Sequence, residues 1–251
     1  TISDLSAAVT GLLLALNLPA NVPLWQAGVG SLFAIIIVKQ LFGCLGQNFM
    51  NPALAARCFL LISFAGVMTT FPTTINHFFE MADTVSSATP MGLLKSGKPT
   101  DWFNMVFNTH SGCIGEASAI AVLLGGLYMT VKRIIDVKIP LIYIGTATIG
   151  FMLIQLITGN ADVLSADYIV TQVCGGGLLV GAFFMATDYT TSPSTSWGKV
   201  IFGLGAGLLT CLIRYFGTYP EGVSFAILFM NILTPYISRW TRRKVFAAGG
   251  H

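Results

Sequence analysis

The sequence predicts an all-α, polytopic membrane protein, and three observations carry that prediction. Hydrophobic residues make up 54% of the chain and charged residues only 9%, where a soluble domain carries roughly 25% charged residues. The mean hydropathy is +0.77. The apolar residues gather into eight runs, about 5–18, 24–43, 51–71, 114–131, 139–158, 168–187, 197–214 and 221–239, most of them near the ~20 residues that a bilayer crossing requires. The 251 residues therefore read as a single integral membrane domain, with loops too short for a second.

Taken in order, the first run is the shortest. Those at 24–43 and 51–71 enclose Gly46 to Pro52, and those at 168–187 and 197–214 enclose Thr187 to Pro193. Each enclosed stretch is polar and carries a proline, so each predicts a broken helix. Irregular backbone is tolerated at membrane depth only where it is buried in protein or lines a cavity. Paired breaks in two halves of a chain are a pointer to a binding site, so the layout reads as an internal repeat. Gly175-Gly176-Gly177 and Gly203-x-Gly205-x-Gly207 follow no strand and form no phosphate loop; they read as close helix packing.

Basic residues orient the runs. Lys132, Arg133 and Lys138, and separately Arg239, Arg242, Arg243 and Lys244, predict cytoplasmic ends by the positive-inside rule. Both clusters are consistent with one parity. That parity places the long connection 72–113 outside the cytoplasm and leaves Lys95, Lys98 and Arg214 at outer ends, with Lys39, Arg57 and Lys199 at inner ones. The C-terminus is then cytoplasmic.

Several classes are excluded. A net charge of +3 gives no electrostatic support for nucleic-acid binding. Cys44, Cys58, Cys113, Cys174 and Cys211 form no Cys-x-x-Cys pair, so no iron-sulfur or zinc site is expected from this chain alone. His77 and His110 stand without ligand-spaced partners, and no metal site is expected. No dinucleotide, Walker or nucleophile-elbow pattern is present.

The residues that could carry chemistry are few. Asn48, Asn51 and Arg57 surround the start of the third run. They read either as polar groups for a ligand at a helix N-terminus, or as two amides satisfying broken backbone and one snorkelling cation. Thr187 and Asp188 stand at the matching break, where Asp188 either completes such a site or caps the next helix. Glu116, beside Ser118, is an acid just inside a run. Intramembrane acids are rare and usually functional, but near an end one can also help a helix to start. In the outer connection, Asp83-Thr84-Val85-Ser86-Ser87-Ala88-Thr89-Pro90 reads as a Ser/Thr/Pro turn, or as a hydroxyl presented for modification.

That last segment resembles the flavinylation motif Asp-x-x-Ser/Thr-x-Ala-Thr, with Asp83, Ser86, Ala88 and Thr89 at its defined positions and Ser87 between them. Together with Gly46 to Arg57, Gly115 to Ala119, Ala186 to Pro193 and Tyr219 to Ala226, it makes the chain resemble the RnfD component of the Rnf electron-transport complex over essentially its whole length. The resemblance implies FMN joined to Thr89 by a phosphoester bond, with Asp83 serving recognition by the transferase. It implies a second, non-covalent flavin, riboflavin or another, near Asn48, Asn51, Arg57, Thr187 and Asp188, and a place for Glu116 and Ser118 near the FMN or on an ion path.

It implies further helices before Thr1, and a bacterial inner-membrane enzyme complex that passes electrons between ferredoxin and NAD while moving sodium or protons. The partners implied are the membrane iron-sulfur pair A and E, flavoprotein G, ferredoxin-like B and NADH-binding C. Two other readings stand beside this one: the NqrB component of the sodium-translocating NADH:quinone reductase, whose motif has a Gly-containing form, and a urea-transporter-like channel, which has no need of the flavin motif.

Overall fold

The computed structural model describes residues 5–41, 48–71, 89–95, 102–107, 111–158, 165–217 and 222–242. Among these residues every regular element is helical. The helices are α1 (Ser6–Leu16), α2 (Leu24–Gln40), α3 (Pro52–Ser63), α4 (Ala65–Met68), α5 (Pro90–Lys95), α6 (Trp102–Phe107), α7 (Ala119–Val131), α8 (Lys138–Thr158), α9 (Ala166–Cys174), α10 (Leu178–Met185), α11 (Ser196–Phe216) and α12 (Val223–Thr241). A short 3-10 turn, Ile114–Glu116, precedes α7. Two stretches wind as π-helix, Phe33–Gln40 at the end of α2 and Gly181–Met185 at the end of α10.

The centre is the pair α8 and α11, which run parallel, Lys138 meeting Ser196 at one end and Phe151 meeting Arg214 towards the other. Gly203 and Gly207 let the two backbones meet: a Cβ on Gly207 would lie 2.9 Å from the Tyr143 carbonyl oxygen, and one on Gly203 would lie 3.0 Å from Ile142 Cβ. Gly205, on another face of α11, instead receives Met230 of α12. Tyr143 and Thr210 share a fully buried hydrogen bond of 2.8 Å across the pair. Around it Leu54, Leu178, Met185, Phe202 and Ile227 form one apolar core, and Leu14, Ala34, Ala53, Ala56 and Leu60 tie α1, α2 and α3 into a second.

Of the eight crossings expected, the described helices support two or three. By length and composition α8 (Lys138–Ile157) and α11 can cross a membrane, and α9 with α10 makes a third candidate, bent by 51°. The helices α1, α2, α3 and α7 are apolar but run only 10–17 residues. At the end of α1 a polar side chain accompanies the stop. Asn17 Nδ2 donates back to the Leu13 carbonyl at 2.7 Å, offering the end of α1 an alternative to the helical ladder. The next carbonyl, of Leu18, accepts from Ile114 N at 3.1 Å, which fixes the end of α1 against the turn before α7.

Candidate functional site

The break before α3 is satisfied by its own sequence. Asn51 has extended backbone, and its Oδ1 accepts from Ala53 N at 3.0 Å and Leu54 N at 3.3 Å, with Pro52 at the first helical position. This is the N-cap chemistry that orphan helical N–H groups require, and proline costs nothing where no N–H is needed. Asn51 Nδ2 also donates to the Met185 carbonyl at 3.4 Å, so the cap of α3 is joined to the end of α10. There Thr187 Oγ1 donates to the Phe183 carbonyl at 2.6 Å. The Asp188 carboxylate accepts from Thr190 N and from the hydroxyls of Thr190 and Thr191, at 3.1–3.4 Å. Both breaks are thus closed by short side chains of the same segment.

Between them lies a cavity of about 460 Å³, a size typical of small-molecule sites. Its polar lining is Ser6, Thr10, Lys39, Asn48, Asn51, Thr187, Asp188 and Thr190, and its apolar walls include Leu13, Met129, Ile134 and Phe184. Asn48 Oδ1 is buried here and accepts no hydrogen bond among the described residues, although buried acceptors are ordinarily paired. The lining combines apolar walls, a few convergent donors and one buried acceptor in need of a donor, the groups a heteroaromatic ring would require. A second cavity of about 490 Å³ adjoins it, sharing Ile134, Ile135, Thr187 and Tyr189 and adding Arg133, Asp136 and Lys199. Lys199 Nζ meets Asp136 at 2.8 Å, and this hydrogen bond holds the Asp136 carboxyl below its usual range. The cavities therefore open at the end of the molecule that carries Lys132, Arg133 and Lys138.

Four of the residues singled out for a second flavin, Asn48, Asn51, Thr187 and Asp188, come together in the first cavity. Arg57 does not. It lies six residues further along α3, about 9 Å deeper, where Nη1 donates to Ser224 and Nη2 to Cys113 Sγ at 3.4 Å. At 6% exposure it is buried in the bundle rather than snorkelling.

Glu116 and Ser118 also lie elsewhere. Ser118 Oγ caps α7 by accepting from Ala121 N at 3.4 Å. Glu116 is buried, with its carboxylate against a third break, Gly175–Gly177, that the sequence does not announce. Gly176 and Gly177 take positive φ, +63° and +70°, and a Cβ on Gly177 would lie 2.8 Å from Glu116 Oε1. The exposed carbonyls of that break are met by Arg214 of α11, which donates to the carbonyls of Gln172, Gly175 and Gly176 and to Gln172 Oε1, at 2.6–3.1 Å. Placed by its sequence at an outer end, Arg214 is in fact buried, because three carbonyls at the end of α9 would otherwise have no donor.

Thr89 stands at the start of α5. Its Oγ1 accepts from Gly92 N at 3.2 Å, and its carbonyl accepts from Leu93 N at 2.9 Å. Two residues on, Met91 is buried, and its Cγ would lie 3.2 Å from a Cβ on Gly176. The helix that begins at Thr89 is therefore seated on the break held by Arg214. Asp83, Ser86, Ser87 and Ala88, like Cys44, His77 and His110, lie outside the described residues. Among the described residues no group of three His, Cys, Asp or Glu could hold a metal ion. Lys39 and Arg214 are the site residues that sequence reasoning passes over. The available signal is a lone cation inside an apolar run in each case.

The comparisons agree with one another. The profile of the NQR2, RnfD, RnfE family matches residues 1–247. The chain is 49% identical over 252 residues to the D component of the Na(+)-translocating ferredoxin:NAD(+) oxidoreductase complex of Acetobacterium woodii, covering 98% of this chain and 74% of the relative. It is 42% identical over 253 residues to the D component of the proton-translocating ferredoxin:NAD(+) oxidoreductase complex of Clostridium ljungdahlii, covering 96% and 74%. Against the D component of the ion-translocating oxidoreductase complex of Escherichia coli it is 36% identical over 285 residues, covering 98% and 78%. Since the matched residues take in all three breaks, the cavity and Thr89, the chain belongs to the NQR2, RnfD, RnfE family.

Proposed function

We propose that the chain is the membrane flavoprotein subunit of an ion-translocating ferredoxin:NAD oxidoreductase, with FMN esterified to Thr89 and a second, non-covalent flavin in the cavity between the first two breaks. The observation that carries the reading is that cavity, where Asn48, Asn51, Thr187 and Asp188 converge and one buried acceptor stands open. The names of the relatives supply the reaction class. Two of them are named for different ions, sodium and proton, so the reading is coupling to a monovalent cation of either kind. The basic end of the molecule faces the cytoplasm in this reading, which puts the cavity on the cytoplasmic side and Thr89 outside.

A bound flavin supplies one- or two-electron redox chemistry, and the protein supplies position, electrostatics and exclusion of competing reactions. Asn48 Oδ1 would accept a ring N–H. Asn51 and Asp188, occupied with their own caps, fix the walls. Phe184 and Met129 close the cavity to water on the apolar side. At the other end, Met91 against Gly176 fixes the base of α5 and so the position of the Thr89 hydroxyl. Between the two lies a buried polar layer, Arg57 with Ser224 and Glu116 against Gly177.

The test is intact-mass measurement of the protein purified from its native membrane, with Thr89→Ala beside it. An added mass equal to esterified FMN, present in the wild type and absent in the variant, is expected. An unmodified native chain would remove the covalent carrier and return the channel reading to the front.

A further inference from the structure

We infer that Lys39 is the cation that orients the flavin in the inner cavity and raises its reduction potential; this rests on the cavity reading given above. Three observations lead to it. Lys39 is 6% exposed and lines the cavity. An ammonium carries three N–H donors, and among the described residues one is used, to Ser6 Oγ at 2.7 Å. The other formal charge on the lining, Asp188, is turned to its own segment by the bonds from Thr190 and Thr191, so among the described residues no ion pair neutralises the Lys39 charge across the cavity. A buried cation with donors to spare is costly unless something accepts from it.

A location near the end of α2 gives a partial account, since cations favour helix C-termini. It does not account for the direction of the side chain, which bonds to α1 across the cavity wall rather than to the last carbonyls of α2.

The chemistry of the ring completes the argument. The pyrimidine edge of an isoalloxazine presents N1 and the C2 carbonyl as acceptors next to the N3–H donor. The cavity offers the complement of that pattern: Lys39 Nζ as donor and the open Asn48 Oδ1 as acceptor. The ring therefore enters with its pyrimidine edge toward Lys39 and Asn48. Two electrons from the preceding carrier and one proton leave one net negative charge on the ring, gathered on N1 and the C2 carbonyl. A cation at that edge binds the reduced ring more tightly than the oxidised one, and charge near N1 is a recognised means of tuning a flavin.

The test uses the full chain purified from its native membrane in a Thr89→Ala background, so that only flavin released on denaturation is titrated. Lys39→Gln is expected to retain that flavin but to lose about tenfold in its preference for the reduced over the oxidised form, a fall of about 30 mV in the two-electron midpoint, with Lys39→Arg close to the parent. Flavin retained in Lys39→Gln with an unchanged midpoint would overturn the role of Lys39 and leave the cavity reading intact. No releasable flavin in the parent would overturn both. Should Lys39→Gln not assemble, the structure of the loaded wild-type chain decides: the pyrimidine edge at Lys39 Nζ supports the assignment, and the dimethylbenzene edge there refutes it.

Discussion

The breaks at Asn51 and Asp188 differ from the one at Gly175–Gly177 in who supplies the missing hydrogen bonds. At Asn51 and Asp188 most of the donors and acceptors come from within the same few residues, single hydroxyl or amide donors from Asn51 and Thr234 meet the Met185 and Thr191 carbonyls, and the space alongside remains a cavity. At Gly175–Gly177 they come from Arg214, a long side chain of another helix 38–42 residues away. Its guanidinium occupies the space beside Gly176, and Glu116 occupies that beside Gly177. Backbone left open inside a membrane protein must be satisfied in some way. Satisfied locally, a break can line a ligand site; satisfied from a neighbour, it becomes a rigid joint.

The largest effect that would test this contrast is Arg214→Leu. It strands three buried carbonyls, each costing about 1–3 kcal/mol, so a loss of more than about 3 kcal/mol is expected, read as a fall in the thermal midpoint of the purified chain. An unchanged midpoint would mean that the joint is not held by Arg214. Gly177→Ala comes next, at about 1–2 kcal/mol for the left-handed backbone before Glu116 is displaced. Asn51→Ala should show the opposite signature: about 1 kcal/mol of stability for the lost cap, but loss of the releasable flavin. If it left flavin content untouched, the local break would be structural only.

The smallest effect belongs to Lys199→Gln at the basic end, where a partly exposed ion pair contributes about 0.2–1 kcal/mol. Because Lys199 lowers the Asp136 pKa in the folded chain, the contribution is present above the ordinary carboxylate value of about 3.9 and fades as pH falls through the depressed one. The difference in midpoint between wild type and variant should therefore shrink from pH 7 to about pH 3, and a difference constant with pH would show that the pair does not set it.

What the sequence discloses follows the same division. Asn51, Thr187 and Asp188 are legible because a locally satisfied break needs its polar residues and proline side by side, and an apolar background makes them stand out. Thr89 stands out in the sequence through a short motif. The Gly175–Gly177 break is not, since glycines in an apolar run serve helix contact equally well; Gly203 and Gly207 do serve it. Only the packing of α9 and α11 on the same helix, α8, brings Arg214 to those carbonyls, and no local pattern encodes that arrangement. Lys39 is visible in the sequence as a marker of orientation, but its direction depends on where α1 packs. The run 5–18 matches α1 closely, whereas the run 51–71 continues past Phe64, where α3 ends.

The two π-helical stretches have a consequence of a different kind. Phe33–Gln40 ends with the helix that carries Lys39, and Gly181–Met185 ends three residues before Asp188. A wide turn holds one residue more than an α turn, and such turns recur at functional sites. One residue corresponds to about 100° around the axis. Each stretch is thus a store of slack: drawing its turns tight would swing Lys39 in one case, or Met185 in the other, around its helix while leaving the preceding turns in place. A single-residue deletion between Phe33 and Val38 is accordingly the length change that α2 should absorb most easily, and an insertion at the same point is the one that should turn Lys39 away.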